Sequence, residues 1–329
     1  MAVETPGRRP GMTVPLDGVP LSEQADWFRE LEDLGYTDLW SSEANGTDAF
    51  TPLALGSVWA PSMRLGTAIV PAFTRGPGLL AMSAAALAEA APGRVILGLG
   101  TSSDVIVERW NDVPFEQPYQ RVRDTVRFLR SALAGEKVSN EYETFKVRGF
   151  KLGRAPATPP SIMVAALREG MLRLAGRESD GAIVNWLAAE DVARVAPIVQ
   201  DAGGGGKEVV ARIFVCPSTD TDTVRGMARF AIAAYLNVPV YAAFHEWLGR
   251  GDQLRGMWDA WKAGDRKAAL AAIPDEVVDD LIVHGAPEAC REQIGRYFDH
   301  GVTTSALAVM PFGIDARQAA RDLAPAAGG

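Results

Sequence analysis

The stretch from Met63 to Ser103, MRLGTAIVPAFTRGPGLLAMSAAALAEAAPGRVILGLGTSS, constrains the fold more than any other part of the chain. Arg64–Val70 is a short apolar run with β-branched residues, Leu79–Ala90 is rich in the helix formers Ala, Leu and Met, and Pro92-Gly93 stops that helix. Arg94–Leu99 is a second apolar run that ends in small residues. Strand, helix and strand make a βαβ unit, and its parallel pair places both strand C-termini on one side. Ala68–Phe73, with Ala68, Ile69 and Val70 leading, and Gly100–Ser103, with Thr101 and Ser102, are expected to line one site there.

The same alternation runs along the rest of the chain. Gly11–Pro15 is a first apolar run, a helix begins near Ser22 and ends at Gly35, Thr37–Ser41 is the next strand, and Thr51-Pro52 opens a helix with Thr51 as N-cap. Apolar residues at Val122, Val126, Leu129 and Leu133 mark a helix closed by Gly135. Later strands are Ser161–Ala166, Gly181–Val184, Val209–Cys216 and Thr303–Met310, with helices between them. Two segments break the rhythm and read as insertions, about 136–160 with a β-prone hairpin and about 220–284 with mostly helical character. They follow the fourth and seventh strands. Eight strands alternating with helices predict a (β/α)8 TIM barrel, an α/β fold, over residues 11–329, behind a flexible tail at 1–10. An open doubly wound sheet is the alternative, since strand order alone does not show closure.

A chain of 329 residues with 22% charged residues and a net charge of −8 lacks the basic face that phosphate backbones require, so no nucleic-acid partner is expected. The N-terminal segment has charges but no apolar h-region, and no run approaches the roughly 18 apolar residues of a membrane span. A cytoplasmic protein without a membrane partner is the expectation. Cys216 and Cys290 lie far apart and read as reduced, buried thiols. The three histidines, His245, His284 and His300, have no metal-ligand spacing, so no metal is expected. Gly98-Leu99-Gly100 lacks the third glycine of a dinucleotide fingerprint and reads as a tight exit from a strand.

RLGTAIVPAFTRGP followed by AAPGRVILGLGTSSDVIVERWNDVPFEQP resembles the luciferase-like flavin and deazaflavin oxidoreductases, and within them the enzymes that use coenzyme F420. The similarity runs from about Gly11 to Pro311. It implies an oxidoreductase that passes hydride between F420 and a small organic substrate, with an FMN-dependent monooxygenase or a cofactor-free binding barrel as alternatives. It also implies a cis peptide between Ala68 and Ile69 that makes a bulge beneath the cofactor ring. Glu43 ends the second strand where the family often carries an acidic residue beside a histidine; here Ala44 replaces the histidine. Glu43 is thus the candidate proton donor or acceptor, ahead of Asp104 and Trp110. For the cofactor phosphate, the segment Ala165–Gly170 passes from a strand end into a helix whose free N–H groups favour anions. Ala166, Leu167 and Arg168 are candidates there, and the resemblance adds Asn185 and Trp186. Family members often pair through outer helices, which implies a homodimer, with the last helical units as the expected contact.

Overall fold

Along each strand of a closed barrel, alternate side chains point inward and must fill the lumen, and in this chain a single tryptophan does much of that work. The computed structural model describes residues 7–325. Eight parallel strands form the barrel: β1 (Arg9–Thr13), β2 (Asp38–Ser41), β3 (Arg64–Thr67), β4 (Val95–Gly100), β5 (Ser161–Ala165), β6 (Gly181–Asn185), β7 (Glu208–Cys216) and β8 (Thr304–Val309). Each pairs with the next, β8 pairs with β1, and β6 pairs with β7, so the sheet closes. Closure excludes the open doubly wound sheet.

Trp40 from β2 lies across the lumen and packs with Ile96, Met163, Ile183, Val210 and Ala306. Gly11 and Gly66 face it from the flanking strands, and a Cβ at either position would collide with the indole. The large ring and its two glycine neighbours are therefore one packing unit. Below this layer the N-terminal end of the barrel is closed by charge. Asp38 accepts from Arg9 Nε at 3.0 Å and from Arg64 Nε at 2.6 Å, and Arg64 Nη2 reaches Glu208 Oε1 at 2.7 Å. Asp38 is fully buried, so this network is paired on every side, as buried charge requires.

Two boundaries differ from the sequence expectation. Arg9 and Pro10 are already paired in β1, opposite Thr304 and Ser305, so the barrel starts inside the segment expected to be a tail. Residues 1–6 of that tail, and residues 326–329, lie outside the described residues. The helix Phe50–Trp59 is capped by Asp48, whose Oδ1 accepts from the Phe50 and Thr51 amides at 2.9 and 3.1 Å; Thr51 is inside the first turn. Asp48 competes better than Thr51 because a carboxylate near a helix N-terminus also meets the positive dipole end.

The first insertion is an antiparallel hairpin, Val138–Glu141 with Lys146–Phe150. The second carries five helices, Thr221–Leu236, Pro239–Leu248, Gly251–Lys262, Arg266–Ala271 and Asp275–Leu281, before a short strand Ile282–His284 joins β7. It has its own core, which takes in Trp186, Phe214 and Cys216 from the barrel and so fastens the insertion over the β6 and β7 ends. Of its tryptophans, Trp258 donates to the Leu236 carbonyl at 2.9 Å and Trp247 lies under the Arg194 guanidinium, both structural roles. Cys216 and Cys290 are buried free thiols. Among the described residues, no single helix is long and apolar enough to cross a membrane.

Candidate active site

The C-terminal mouth of the barrel is shaped by a break in β3. Gly66 pairs with Ile96 of β4, whereas Val70 in the short strand Val70–Pro71 pairs with Leu99, so four steps on one side match three on the other. The extra residue makes a bulge at Ala68 and Ile69, whose peptide bond is cis. Both side chains pack onto the Trp40 layer. Neighbouring strands brace the bulge: the Ala68 amide donates to Ser41 O at 2.6 Å, and the Glu43 amide donates to Ile69 O at 3.2 Å. On the other side, Thr67 Oγ1 donates to Gly98 O at 2.9 Å and accepts from the Gly98 amide at 2.8 Å.

Gly98 and Gly100 make this arrangement possible. A Cβ at Gly98 would overlap the Thr67 carbonyl and Ile183, and one at Gly100 would stand 2.9 Å from Ile69 Cδ1 and 3.1 Å from Ala165 Cβ. The pair of glycines that superficially suggested a nucleotide fingerprint is there to seat the bulge.

Glu43 is not a free loop carboxylate. Arg75, from the loop after the bulge, donates from Nε to both carboxylate oxygens at 3.1 and 3.2 Å and from Nη2 to Oε1 at 2.6 Å. Arg75 also lies over the Phe50 ring, 5.0 Å from its centroid, and 3.5 Å from Asp48. The carboxylate draws this guanidinium toward ionisation, holding it above its ordinary range. Asp104 faces Arg109 at 3.5 Å with both side chains well exposed, and Trp110 is half exposed, so neither is buried at the mouth. Thr101 and Ser102 follow β4 directly; Ser102 has φ of 61°, and Thr101 Oγ1 donates to Ser102 O at 3.2 Å.

At β5 the structure narrows the anion candidates. The Ala166 amide is already spent on Ile183 O at 3.0 Å, so Ala166 has no N–H to offer. Helix Glu169–Glu178 begins at an extended Arg168 with no side-chain cap, leaving its first-turn amides open. Gly170 has nothing within 4 Å of where a side chain would stand. Trp186 is misplaced for contact with a phosphate through its indole: it is 1% exposed, with Phe214 at 4.1 Å and Tyr235 at 4.9 Å between ring centroids. Asn185 faces into the barrel and donates from Nδ2 to the Tyr241 hydroxyl at 3.3 Å, while its Oδ1 is buried without a partner.

One further mouth residue was missed from sequence. Arg212 is the register partner of both Asn185 and Ala306, on the inward face of β7 above Val210. Its signal was an arginine in the otherwise apolar strand VVARIFVC, where a charge on a barrel strand needs a reason.

An eight-stranded barrel with a bulged third strand and a helical insertion over the seventh defines a class, and the sequence match agrees: residues 2–304 fit the family described as luciferase-like monooxygenase, and the chain belongs to that family. A 5,10-methylenetetrahydromethanopterin reductase from Methanolobus tindarius is 29% identical over 307 residues, covering 88% of this chain and 90% of the relative. Among solved structures, the coenzyme F420 dependent tetrahydromethanopterin reductase from Methanopyrus kandleri superposes with a TM-score of 0.80 at 20% identity, over 97% of each chain. An F420-dependent secondary alcohol dehydrogenase in complex with an F420-acetone adduct gives a TM-score of 0.77 at 14% identity, covering 96% of this chain and 97% of that one.

Proposed function

We propose that the chain is an F420-dependent oxidoreductase that transfers hydride between the deazaflavin and a small organic substrate. The observation that carries this reading is the bulge at Ala68 and Ile69, braced by Glu43 and seated on Gly98 and Gly100, which offers a convex apolar ledge for a planar ring at the barrel mouth. The family match and the F420-dependent neighbours support it. When bound, F420 supplies the hydride-carrying carbon. Ala68 and Ile69 would hold one ring face, Thr101 and Ser102 its edge, and the open amides after Leu167 and Arg168 the phosphate; Val70, expected from sequence to share the ring face, is fully buried and backs the bulge from the core. Glu43, as the acceptor of the Arg75 guanidinium, acts here as a brace for the bulge rather than as the proton donor expected from sequence. The protein works as a cytoplasmic homodimer in this reading, supported by the apolar surface of helices Phe50–Trp59 and Pro77–Ala90.

The test is titration of purified protein with F420 and with FMN, followed calorimetrically. F420 binding at least about tenfold tighter is expected; preference for FMN moves the protein to the monooxygenase branch, and binding of neither defeats the reading. Leu167→Asp places a negative charge beside the proposed phosphate site and should weaken F420 binding by roughly tenfold, since a helix-end charge interaction contributes about 0.3–2 kcal/mol. Undiminished affinity would move the phosphate elsewhere.

A further inference from the structure

The arginines of this barrel divide into two kinds. At the closed end, Arg9 and Arg64 meet Asp38 and Glu208. Around the mouth, Arg75 meets Glu43, Arg250 meets Asp191 at 2.7 Å and Asp280 at 3.0 Å, and Arg121 donates to the Ala72 carbonyl at 3.0 Å. Arg212 is partly buried on the inner wall and, among the described residues, has neither a carboxylate nor a hydrogen-bond acceptor. Its one contact of note is the Phe214 ring, 5.1 Å from the guanidinium carbon. A partly desolvated guanidinium with five unspent donors is costly to keep unless something supplies acceptors.

Topology says where that something sits. In a closed ring of eight strands, β7 stands opposite β3, so Arg212 faces the bulge across the mouth. Beside it, in register, Asn185 donates from Nδ2 to the Tyr241 hydroxyl and presents a buried Oδ1 with no donor. Ala306, the partner on the other side, has too short a side chain to fill the space. Aromatic rings complete the wall, with Tyr235 and Tyr241 6.1 Å apart and Tyr235 still 42% exposed.

We propose that Arg212 is the specificity-determining anchor for a substrate carboxylate, and that the substrate is a planar organic acid lying between the β3 ledge and the aromatic wall of the insertion. Arg212 binds the carboxylate through paired N–H donors, as guanidinium geometry favours. Asn185 Oδ1 accepts from a hydroxyl or N–H of the same molecule. This deepens the F420 reading and rests on it for the substrate's position relative to the ring, but the anion site itself is a property of the apo protein.

The test therefore uses cofactor-free and F420-loaded protein side by side. Trans-cinnamate and cinnamamide serve as probes of identical shape and different charge, read by tryptophan fluorescence, with Trp186 against the site, and by calorimetry. Cinnamate is expected to bind at least about tenfold more tightly than cinnamamide, the scale of a charged hydrogen-bonded pair. Arg212→Met should erase that difference with F420 affinity unchanged and the melting temperature equal or higher, and Arg212→Lys should restore part of it. Equal binding of the two probes, or a carboxylate preference that survives Arg212→Met, overturns the proposal. So does loss of F420 affinity in Arg212→Met, which would place the arginine on the cofactor. Failure of wild-type protein to bind F420 while cinnamate is still selected would defeat the cofactor reading alone.

Discussion

Arg75 closes on Glu43 with three hydrogen bonds, and the Glu43 amide in turn holds the carbonyl of Ile69 at 3.2 Å. One residue thus joins the end of β2, the bulge in β3 and the loop that follows it. Both side chains are 18% exposed, so the pair is partly desolvated and less screened by solvent than a surface ion pair.

If Glu43 acts by bracing, Arg75→Met should reproduce the phenotype of Glu43→Gln, and the double variant should be little worse than either. Each single change is expected to weaken F420 binding several-fold and to lower stability by about 1 kcal/mol, with coupling of similar size. Additive losses in single-turnover hydride transfer, with Arg75→Met nearly silent, would return Glu43 to an independent proton-handling role.

Gly98 and Gly100 are two residues apart but predict different defects. A methyl at Gly98 meets backbone, the Thr67 carbonyl, which cannot step aside; Gly98→Ala should cost roughly 1–3 kcal/mol in urea denaturation, the usual range for overpacking. At Gly100 the nearest atoms are the flexible end of Ile69, with Ala165 Cβ at 3.1 Å behind them, so Gly100→Ala should lose less stability than Gly98→Ala while displacing Ile69 and weakening F420 binding. Equal losses of stability in both would mean that the Ile69 side chain is as fixed as the backbone.

The contrast explains what was legible in the sequence. Strand and helix order could be read because the apolar periodicity of each βα unit is local, and the bulge because TAIVP carries a family resemblance. Glu43's partner was hidden, since Arg75 lies 32 residues away and only the closed ring brings the two loops together. Arg212 was visible as a charge in an apolar strand, but its inward direction follows from register with Asn185 and Ala306, which pairing alone supplies. For Ala166, sequence does not show that its amide is taken by Ile183 of β6, which removes that N–H from the set open to a phosphate.

The expected oligomer contact on the last helical units finds no support in surface chemistry, because helix Pro287–Asp299 carries none of the large exposed apolar side chains. One group of these, Met227, Phe230, Tyr235 and Val240, stands on the insertion helices, and three stand together on the helices before and after β3, Val58 76%, Leu79 50% and Met82 49% exposed. A homodimer through this face predicts that Leu79→Glu yields a monomer by light scattering at micromolar concentration, with the barrel still folded. A wild-type monomer under the same conditions would reject the dimer, and a dimeric Leu79→Glu would move its contact.

His245 gives the protein an acid sensitivity that can be isolated. The ring is fully buried in the insertion, and neither nitrogen has a hydrogen-bond partner in good geometry. Burial first, and then the nearby Arg250 cation, press its pKa from 6.5 to about 3, with the Trp186 backbone opposing only in part. The folded state therefore keeps the imidazole neutral where the unfolded chain protonates it. Unfolding takes up a proton between about pH 6.5 and 3, so stability falls as pH drops through that window, by about 1.4 kcal/mol per unit once well below 6.5. His245→Leu removes this contribution and leaves every carboxylate in place. The difference in urea unfolding free energy between wild type and His245→Leu should thus shift in the variant's favour by roughly 1.2 kcal/mol from pH 6 to pH 5. Parallel curves over that interval would mean that His245 accepts its proton in the folded protein.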